Sequence, residues 1–294
     1  MGALGAIVLV FVGLFGLFVG SFLNVVIWRL PRRCLSVVKQ TRSRCPRCGV
    51  QLRWFDNIPL FSWLILLRGK CRHCRAPISF RYPLIEASTA AAIVAAVFFD
   101  RGAEGIEYPF MHPGGWLICG AHALIIASLI ALSVIDIDFQ ILPNAITIPG
   151  IWLAPILAVL LPELMPRLLW QPLDPGPGLL GDRGNALINS LLGAGAASGL
   201  LYGIGRLGSR LAGKEAMGFG DVKLIAAMGG LVGLWFPMVL AIASLFGSLI
   251  GGVVWIATRK HMVPFGPYLA AGFLVTLFRG PELWNSYLAI FGPR

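Results

Sequence analysis

The chain has 294 residues, of which 57% are hydrophobic and 13% are charged, and its mean hydropathy is +0.80. A soluble domain cannot cover that much apolar surface, so the composition excludes the soluble classes and indicates an integral membrane protein. The apolar runs are expected to be helices of about 20 residues, because about 30 Å of hydrocarbon must be crossed with every backbone polar group hydrogen-bonded. Ten-residue blocks of alternating hydrophobicity are missing, which disfavours a transmembrane β-barrel.

About eight membrane spans are predicted along the chain. No basic residue precedes the first apolar run and the basic residues follow it, so we expect a membrane anchor rather than a cleavable signal peptide. A short apolar tail at 283–292 is expected at the membrane interface or against the bundle. The fold predicted from these runs is an all-α polytopic membrane protein. The runs lie at 4–28, 83–99, 116–135, 144–161, 186–205, 222–235, 237–257 and 265–278.

The loop after the first span carries the positive charge of the chain. Residues 29–81 contain thirteen Lys and Arg and a single acid, Asp56, whereas the whole chain has a net charge of +11. The positive-inside rule places this loop in the cytoplasm. Its charge then indicates topology and contact with anionic lipid headgroups. Nucleic-acid binding is the weaker interpretation, because the loop has no module of stacking aromatic side chains.

Four cysteines in this loop form two matched pairs. They follow the spacing C-x2-C-x22-C-x2-C in "CPRCG" and "CRHCR", which is typical of a structural zinc site. A metal would hold together a loop that is too short and too polar to build its own core. A redox pair is the competing interpretation, and Cys34 and Cys119 fit neither pattern. The predicted ligands are Cys45, Cys48, Cys71 and Cys74.

Three aspartates lie at the ends of predicted spans. Asp136 and Asp138, in "VIDIDFQILPN", close the third span, and Asp221, in "GFGDVK", begins the sixth. Alternating the spans from a cytoplasmic first loop puts these ends on the same side of the membrane. Asp221 can be a helix cap, with Gly218 and Gly220 allowing close backbone approach. Asp136 needs another reason, because a helix C-terminus disfavours an anion.

Two aspartates held close together share a proton, so one acts as a base and the other as an acid. This is the chemistry with which aspartic proteases activate water and protonate a leaving nitrogen. Two other classes remain open: an ion-binding transporter, which would place its carboxylates near the middle of the bilayer, and a non-enzymatic scaffold of a secretion or pilus machine. Lys223 is expected to extend to the lipid headgroups rather than to act on Asp221. Glu86 either pairs with the basic loop or belongs to a second site.

Seven motifs follow one another along nearly the whole chain. They are "GSFLNVVIWRLPR" (20–32), the two cysteine motifs taken together, "WFDNIPLFSWL" (54–64), "RYPLIE" (81–86), "IDIDFQILPN" (135–144), "GFGDVKL" (218–224) and "PFGPYLA" (264–270). This ordered set resembles the bacterial type 4 prepilin peptidases, which are membrane aspartic proteases of the GxGD kind. Asn144 departs from the pattern, because many members have Asp after the Leu-Pro.

The resemblance implies an endopeptidase that removes the basic leader of prepilins and pseudopilins at the cytoplasmic face of the bacterial inner membrane. It implies the catalytic pair Asp136 and Asp221, with Gly218 and Gly220 supporting the catalytic loop and Asp138 as the less favoured partner. Members with a long cysteine-bearing first loop commonly also methylate the new N-terminus with S-adenosylmethionine. That activity is expected here, without an assignment of the residues that bind the cofactor.

The expected organisation has three parts. Residues 1–28 form the first transmembrane helix, residues 29–82 a small cytoplasmic zinc-binding domain, and residues 83–294 the membrane-embedded protease bundle. The expected partners are prepilin or pseudopilin substrates and membrane lipids, with structural zinc and S-adenosylmethionine as cofactors.

Overall fold

The computed structural model describes residues 3–32, 43–100, 114–166, 181–213, 217–258 and 264–291. Over these residues the fold is helical, and the only ladder pairings are two isolated bridges in the cysteine-bearing loop. The long helices are α1 (Ala3–Arg29), α2 (Arg81–Asp100), α3 (Gly115–Phe139), α4 (Asn144–Leu160), α5 (Gly181–Ala212), α6 (Phe219–Val232), α7 (Phe236–Thr258) and α8 (Gly266–Phe291). The predicted all-α fold with about eight long helices is confirmed.

Five helical stretches are long and apolar enough to cross a membrane. The last of them combines α6 and α7, which a short 3-10 turn at Gly233–Trp235 joins, and α4 is apolar but shorter. The apolar tail predicted at 283–292 is continuous with α8, which runs on to Phe291. Because five stretches are long and apolar enough to cross a membrane, the predicted polytopic character is confirmed. The five stretches are Gly5–Arg29, Arg81–Phe99, Gly115–Phe139, Gly181–Leu211 and Phe219–Val254.

The chain forms two compact units, Met1–Ala131 and Leu132–Arg294. In the first unit α1 packs directly on α2. A Cβ on Gly16 would lie 2.6 Å from the Cα of Ala90, so the two backbones touch at this point. Small residues permit such close helix pairing where the surrounding lipid is as apolar as the side chains.

In the second unit α6 is the central helix, in contact with α4, α5 and α8. Its inner side chains Ile225 and Met228 are fully buried, as is Phe273 of α8. A Cβ on Gly229 of α6 would lie 2.5 Å from the carbonyl oxygen of Gly193 in α5, so these helices also meet backbone to backbone. This packing holds the first turn of α6, and with it Asp221, in a defined position.

Candidate functional site

The four predicted zinc ligands lie on two hairpins with the same backbone design. In each hairpin the N–H of the first cysteine donates to a carbonyl five residues later, at 2.9 Å in the Cys45 hairpin and 2.8 Å in the Cys71 hairpin. Isolated bridges, Arg44↔Gln51 and Lys70↔Pro77, close the two hairpins. The sequence repeat is therefore also a structural repeat, which presents two thiols from each turn.

The residue after the second cysteine of each hairpin is in the left-handed region. Gly49 has φ +70° and Arg75 has φ +57°. The N–H groups of these residues donate to the carbonyls of Cys45 and Cys71, at 2.9 and 3.0 Å. Glycine takes this conformation without cost, whereas a side chain at the same place is strained.

The four sulfurs converge on one point. All of them lie within 4.8 Å of one another, and the Sγ atoms of Cys45 and Cys74 are 3.9 Å apart. A tetrahedron with Zn–S bonds of about 2.3 Å has edges of about 3.8 Å, so the cluster has the dimensions of a closed zinc site. The backbone N–H of Cys48 is the largest influence on the pKa of the Cys45 thiol, which is lowered to about 6. A thiolate is therefore available at Cys45 at neutral pH, whereas the pKa of the neighbouring Cys48 is raised to about 11, so a metal that binds here must displace the proton of Cys48.

Asp56, the single acid of the basic loop, is buried and tied to the second cysteine hairpin. Its Oδ1 accepts hydrogen bonds from Nη2 of Arg72 at 2.7 Å and from Nε at 3.2 Å, and this bond raises the pKa of the guanidinium. Glu86 of α2 is also buried, and its carboxylate accepts the N–H of Leu60 at 2.8 Å. Asp56 thus joins two parts of the loop to each other, and Glu86 joins the loop to α2.

Asp136 lies in the last turn of α3 and is only 6% exposed. Its Oδ2 accepts the N–H of Gly266, at 3.0 Å, where α8 begins. A carboxylate at the end of its own helix is therefore at the start of another helix, where the free N–H groups and the helix dipole stabilise an anion. This contact resolves the unfavourable position that the sequence alone assigns to Asp136.

Asp221 is in the first turn of α6, after Gly218 at the N-cap, and it is half-buried. A Cβ on Gly220 would lie 3.0 Å from the Cβ of Leu142, so glycine allows α6 to approach the Leu-Pro-Asn segment. Gly218 has φ −72°, which any residue adopts, so its backbone conformation does not require glycine. Each carboxylate thus lies at the N-terminus of a helix, where the helix dipole is positive: Asp221 at that of α6 and Asp136 at that of α8.

Asp136 and Asp221 line the same cavity, which has a volume of about 270 Å³. Asp138 is exposed and is not among the residues that line it. Residues two positions apart in a helix point to different sides, which explains why only one of the two aspartates of α3 faces the cavity. The lining residues are Asp136, Gln140, Ile141, Leu142, Asn144, Gly218, Gly220, Asp221 and Lys223.

Lys223 and Gly266 have positions that sequence reasoning missed. Lys223 lines the cavity and donates to Oδ1 of Asn144 at 2.9 Å, whereas we expected it at the lipid headgroups. The sequence carried no signal for this position, because residues two positions apart in a helix, such as Asp221 and Lys223, ordinarily point to different sides. Gly266 lies 130 positions from its partner Asp136, and no local pattern indicates such a pairing.

The fold and the cavity define a class: a polytopic α-helical membrane protein with two aspartates at helix ends that face one cavity. Comparison with known families identifies the family. Residues 14–99 match the Bacterial Peptidase A24 N-terminal domain, and residues 123–256 match the Type IV leader peptidase family.

Curated relatives match almost the whole chain. The prepilin leader peptidase/N-methyltransferase of Xanthomonas campestris pv. campestris is 36% identical over 309 aligned residues, which cover 95% of this chain and 94% of the relative. A protein of the same name from Stutzerimonas stutzeri is 34% identical, and the match covers 93% of this chain and 91% of that protein. The one from Pseudomonas aeruginosa is 33% identical, and the match covers 95% of this chain and 93% of that protein. The chain belongs to the type IV leader peptidase family. No solved structure matches it.

Proposed function

We propose that this protein is a membrane aspartic endopeptidase that removes the leader peptide of prepilins or pseudopilins and then N-methylates the new N-terminus. The observation that carries the peptidase proposal is the shared cavity of Asp136 and Asp221, from which Asp138 is absent. The carboxylates lie in the last turn of α3 and the first turn of α6, at helix ends. This position favours a protease over the ion-binding transporter, which would need carboxylates in the middle of the spans.

In the proposed reaction the aspartate pair shares one proton and holds one water molecule. The ionised carboxylate takes a proton from the water molecule while the water oxygen attacks the scissile carbonyl carbon. The protonated carboxyl then supplies a proton, and the peptide C–N bond breaks as the leaving nitrogen is protonated. The helix N-termini that reach Asp136 and Asp221 stabilise one net negative charge on the pair, which is the charge that this state requires.

The charge of the first loop supports a cytoplasmic placement of the cavity in the bacterial inner membrane, with anionic lipids as partners of the basic side chains. Zinc, held by Cys45, Cys48, Cys71 and Cys74, would have a structural role, because protein thiolates fill all four ligand positions. S-adenosylmethionine would supply the methyl group that the new N-terminal amine receives. The names of the relatives and the long cysteine-bearing loop support this second activity.

The test is cleavage of a model prepilin by the purified protein in liposomes. We expect Asp136→Asn and Asp221→Asn each to lower cleavage by at least ~10²-fold, because each removes a group that transfers a proton. Asparagine keeps an acceptor oxygen, so the N–H of Gly266 stays bonded and the helix cap is retained. Asp138→Asn is the matched control, and it should keep most of the activity.

Zinc content per chain is measured alongside and should be the same in all three variants. If both Asp136→Asn and Asp221→Asn still cut the substrate at the wild-type rate, the two aspartates have only structural roles and the mechanism is wrong.

A further inference from the structure

The cysteine-bearing loop presents an apolar turn, which consists of Phe61 and the short π-helix Ser62–Leu66. Two of its six side chains, Ser62 and Trp63, are buried or half-buried. The other four are large, apolar and exposed, and they form the apolar face of the turn: Phe61, Leu64, Ile65 and Leu66. A run of exposed apolar side chains in a loop that is otherwise rich in charge indicates a contact surface.

Contacts on the inner side of the turn hold it beside the start of α2. The Nε1–H of Trp63 donates to the carbonyl of Ile78 at 3.2 Å, and the rings of Trp63 and Phe80 meet edge to face with 5.6 Å between their centres. The N–H of Leu60, just before the turn, donates to the carboxylate of Glu86 in α2 at 2.8 Å. The apolar face is therefore presented by an attached turn with a defined position.

The turn lies where a membrane span begins. The apolar stretch Arg81–Phe99, which is long enough to cross a membrane, starts immediately after Phe80. At this end of α2 the side chains of Phe80, Tyr82 and Leu84 are also exposed. Aromatic side chains at the end of a span lie at the boundary between the headgroups and the acyl chains. Because Phe80 contacts Trp63, the exposed surface of this end of α2 continues into the turn.

We propose that the apolar face inserts into the anionic surface of the membrane that α2 crosses, and that it anchors the cysteine-bearing loop to the bilayer. The proposed function assigns anionic lipids to the basic side chains alone, and the apolar face adds a hydrophobic attachment. Interfacial elements of this kind combine buried apolar side chains with a polar side that is rich in Lys and Arg. The inference does not depend on the aspartate pair.

Charge decides which partner covers the apolar face. Residues 29–81 contain thirteen Lys and Arg and a single acid. A second copy of the chain would bring the same positive charge to the contact, and so would the basic leader expected of a prepilin. Anionic headgroups attract the loop instead, and each Lys or Arg near the surface contributes to that attraction. Exposed basic side chains flank the turn in sequence on both sides: Arg53, Arg68, Lys70 and Arg75.

The test is photo-crosslinking of the full-length protein in liposomes of phosphatidylglycerol and phosphatidylcholine, with and without a model prepilin. The photoreactive amino acid benzoylphenylalanine replaces Phe61, where it keeps an aromatic ring at an exposed site. Mass spectrometry of the digested protein then identifies what the apolar face contacts. The matched position is His73, an exposed ring in the second cysteine hairpin. We expect phospholipid adducts at position 61, at least ~10-fold more than at position 73.

Two changes separate the hydrophobic and the electrostatic parts of the attachment. Leu64→Asn combined with Ile65→Asn should lower the lipid adducts at position 61 by ~10-fold, because these apolar side chains insert. Val50→Asn, at an exposed apolar residue of the first cysteine hairpin, is the control and should leave them unchanged. Liposomes of phosphatidylcholine alone should lower them by ~3-fold or more, because the attraction to anionic headgroups is lost. Unchanged hydrogen exchange of the two cysteine hairpins shows that the loop stays folded in each variant.

Adducts to protein in place of lipid, whether to a second copy, to the prepilin or to another part of the same chain, would overturn the inference. Equal lipid adducts at positions 61 and 73, or no adducts at position 61, would also overturn it. Lipid adducts that persist in the double variant would show that basic charge alone holds the loop, and adducts that do not fall in phosphatidylcholine would refute the role of anionic lipid. Each of these outcomes leaves the protease proposal intact, because only continued cleavage by Asp136→Asn and Asp221→Asn would overturn it.

Discussion

Replacing Gly266 by alanine tests the contact that holds Asp136 in the cavity. A Cβ at position 266 would lie 2.8 Å from Oδ2 of Asp136 and 3.3 Å from its Cγ. These separations are shorter than ordinary carbon contacts of about 3.5 Å, so the carboxylate must move by on the order of 0.5–1 Å. The same movement lengthens the 3.0 Å hydrogen bond from the N–H of Gly266.

A displacement of about 1 Å at a reacting group costs on the order of 10²-fold in rate. We therefore expect Gly266→Ala to lower prepilin cleavage by ~10- to 100-fold. The loss of one hydrogen bond to a charged group should lower the free energy of unfolding by about 1–3 kcal/mol. The loss of rate should thus exceed what partial unfolding explains, and the zinc content should not change.

The assay is single-turnover cleavage of a model prepilin in liposomes, with thermal unfolding of each variant measured in the same lipid. Gly252→Ala, in α7, is the matched control, because its Cβ would meet no other atom within 4 Å. Wild-type cleavage by a folded Gly266→Ala protein would refute the reasoning. An equal loss of rate in Gly252→Ala would show that the effect is not specific to the aspartate contact.

The cysteine-bearing loop offers two further predictions. Gly49→Ala should weaken retention of zinc against a chelator and cost about 1–2 kcal/mol, because position 49 has φ +70° and open space, so only backbone strain is added. Arg75→Gly, at the equivalent place of the second hairpin, should not weaken zinc retention; a weakening as large as that of Gly49→Ala would contradict the strain argument. Cys71→Ser should lower zinc from one atom per chain to nearly none and lower the unfolding temperature, as measured by elemental analysis and calorimetry. Cys119→Ser, outside the cluster, is the control, and a Cys71→Ser protein with full zinc content would refute the metal site.

The membrane spans and the cysteine cluster could be predicted from the sequence because each depends on local order. A run of about 20 apolar residues can satisfy its backbone in lipid only as a helix, so hydropathy alone predicts where the helices lie. The pairs Cys45–Cys48 and Cys71–Cys74 each belong to one short turn, and their spacing therefore predicts the turn geometry. Charge in the first loop likewise predicts topology without knowledge of the packing.

The make-up of the cavity depends on contacts between distant residues. The sequence favoured Asp136 over Asp138 only through the family resemblance, whereas the packing of α3 turns Asp136, and not Asp138, toward the cavity that Asp221 also lines. The link from Asp136 to Gly266 and the link from Lys223 to Asn144 join residues 130 and 79 positions apart. Sequence by itself thus determined the helices, the cysteine hairpins and the family motifs, because these follow from local chemistry. Only the tertiary structure decided which helix ends meet and which side chains face the cavity, because that depends on how whole helices pack.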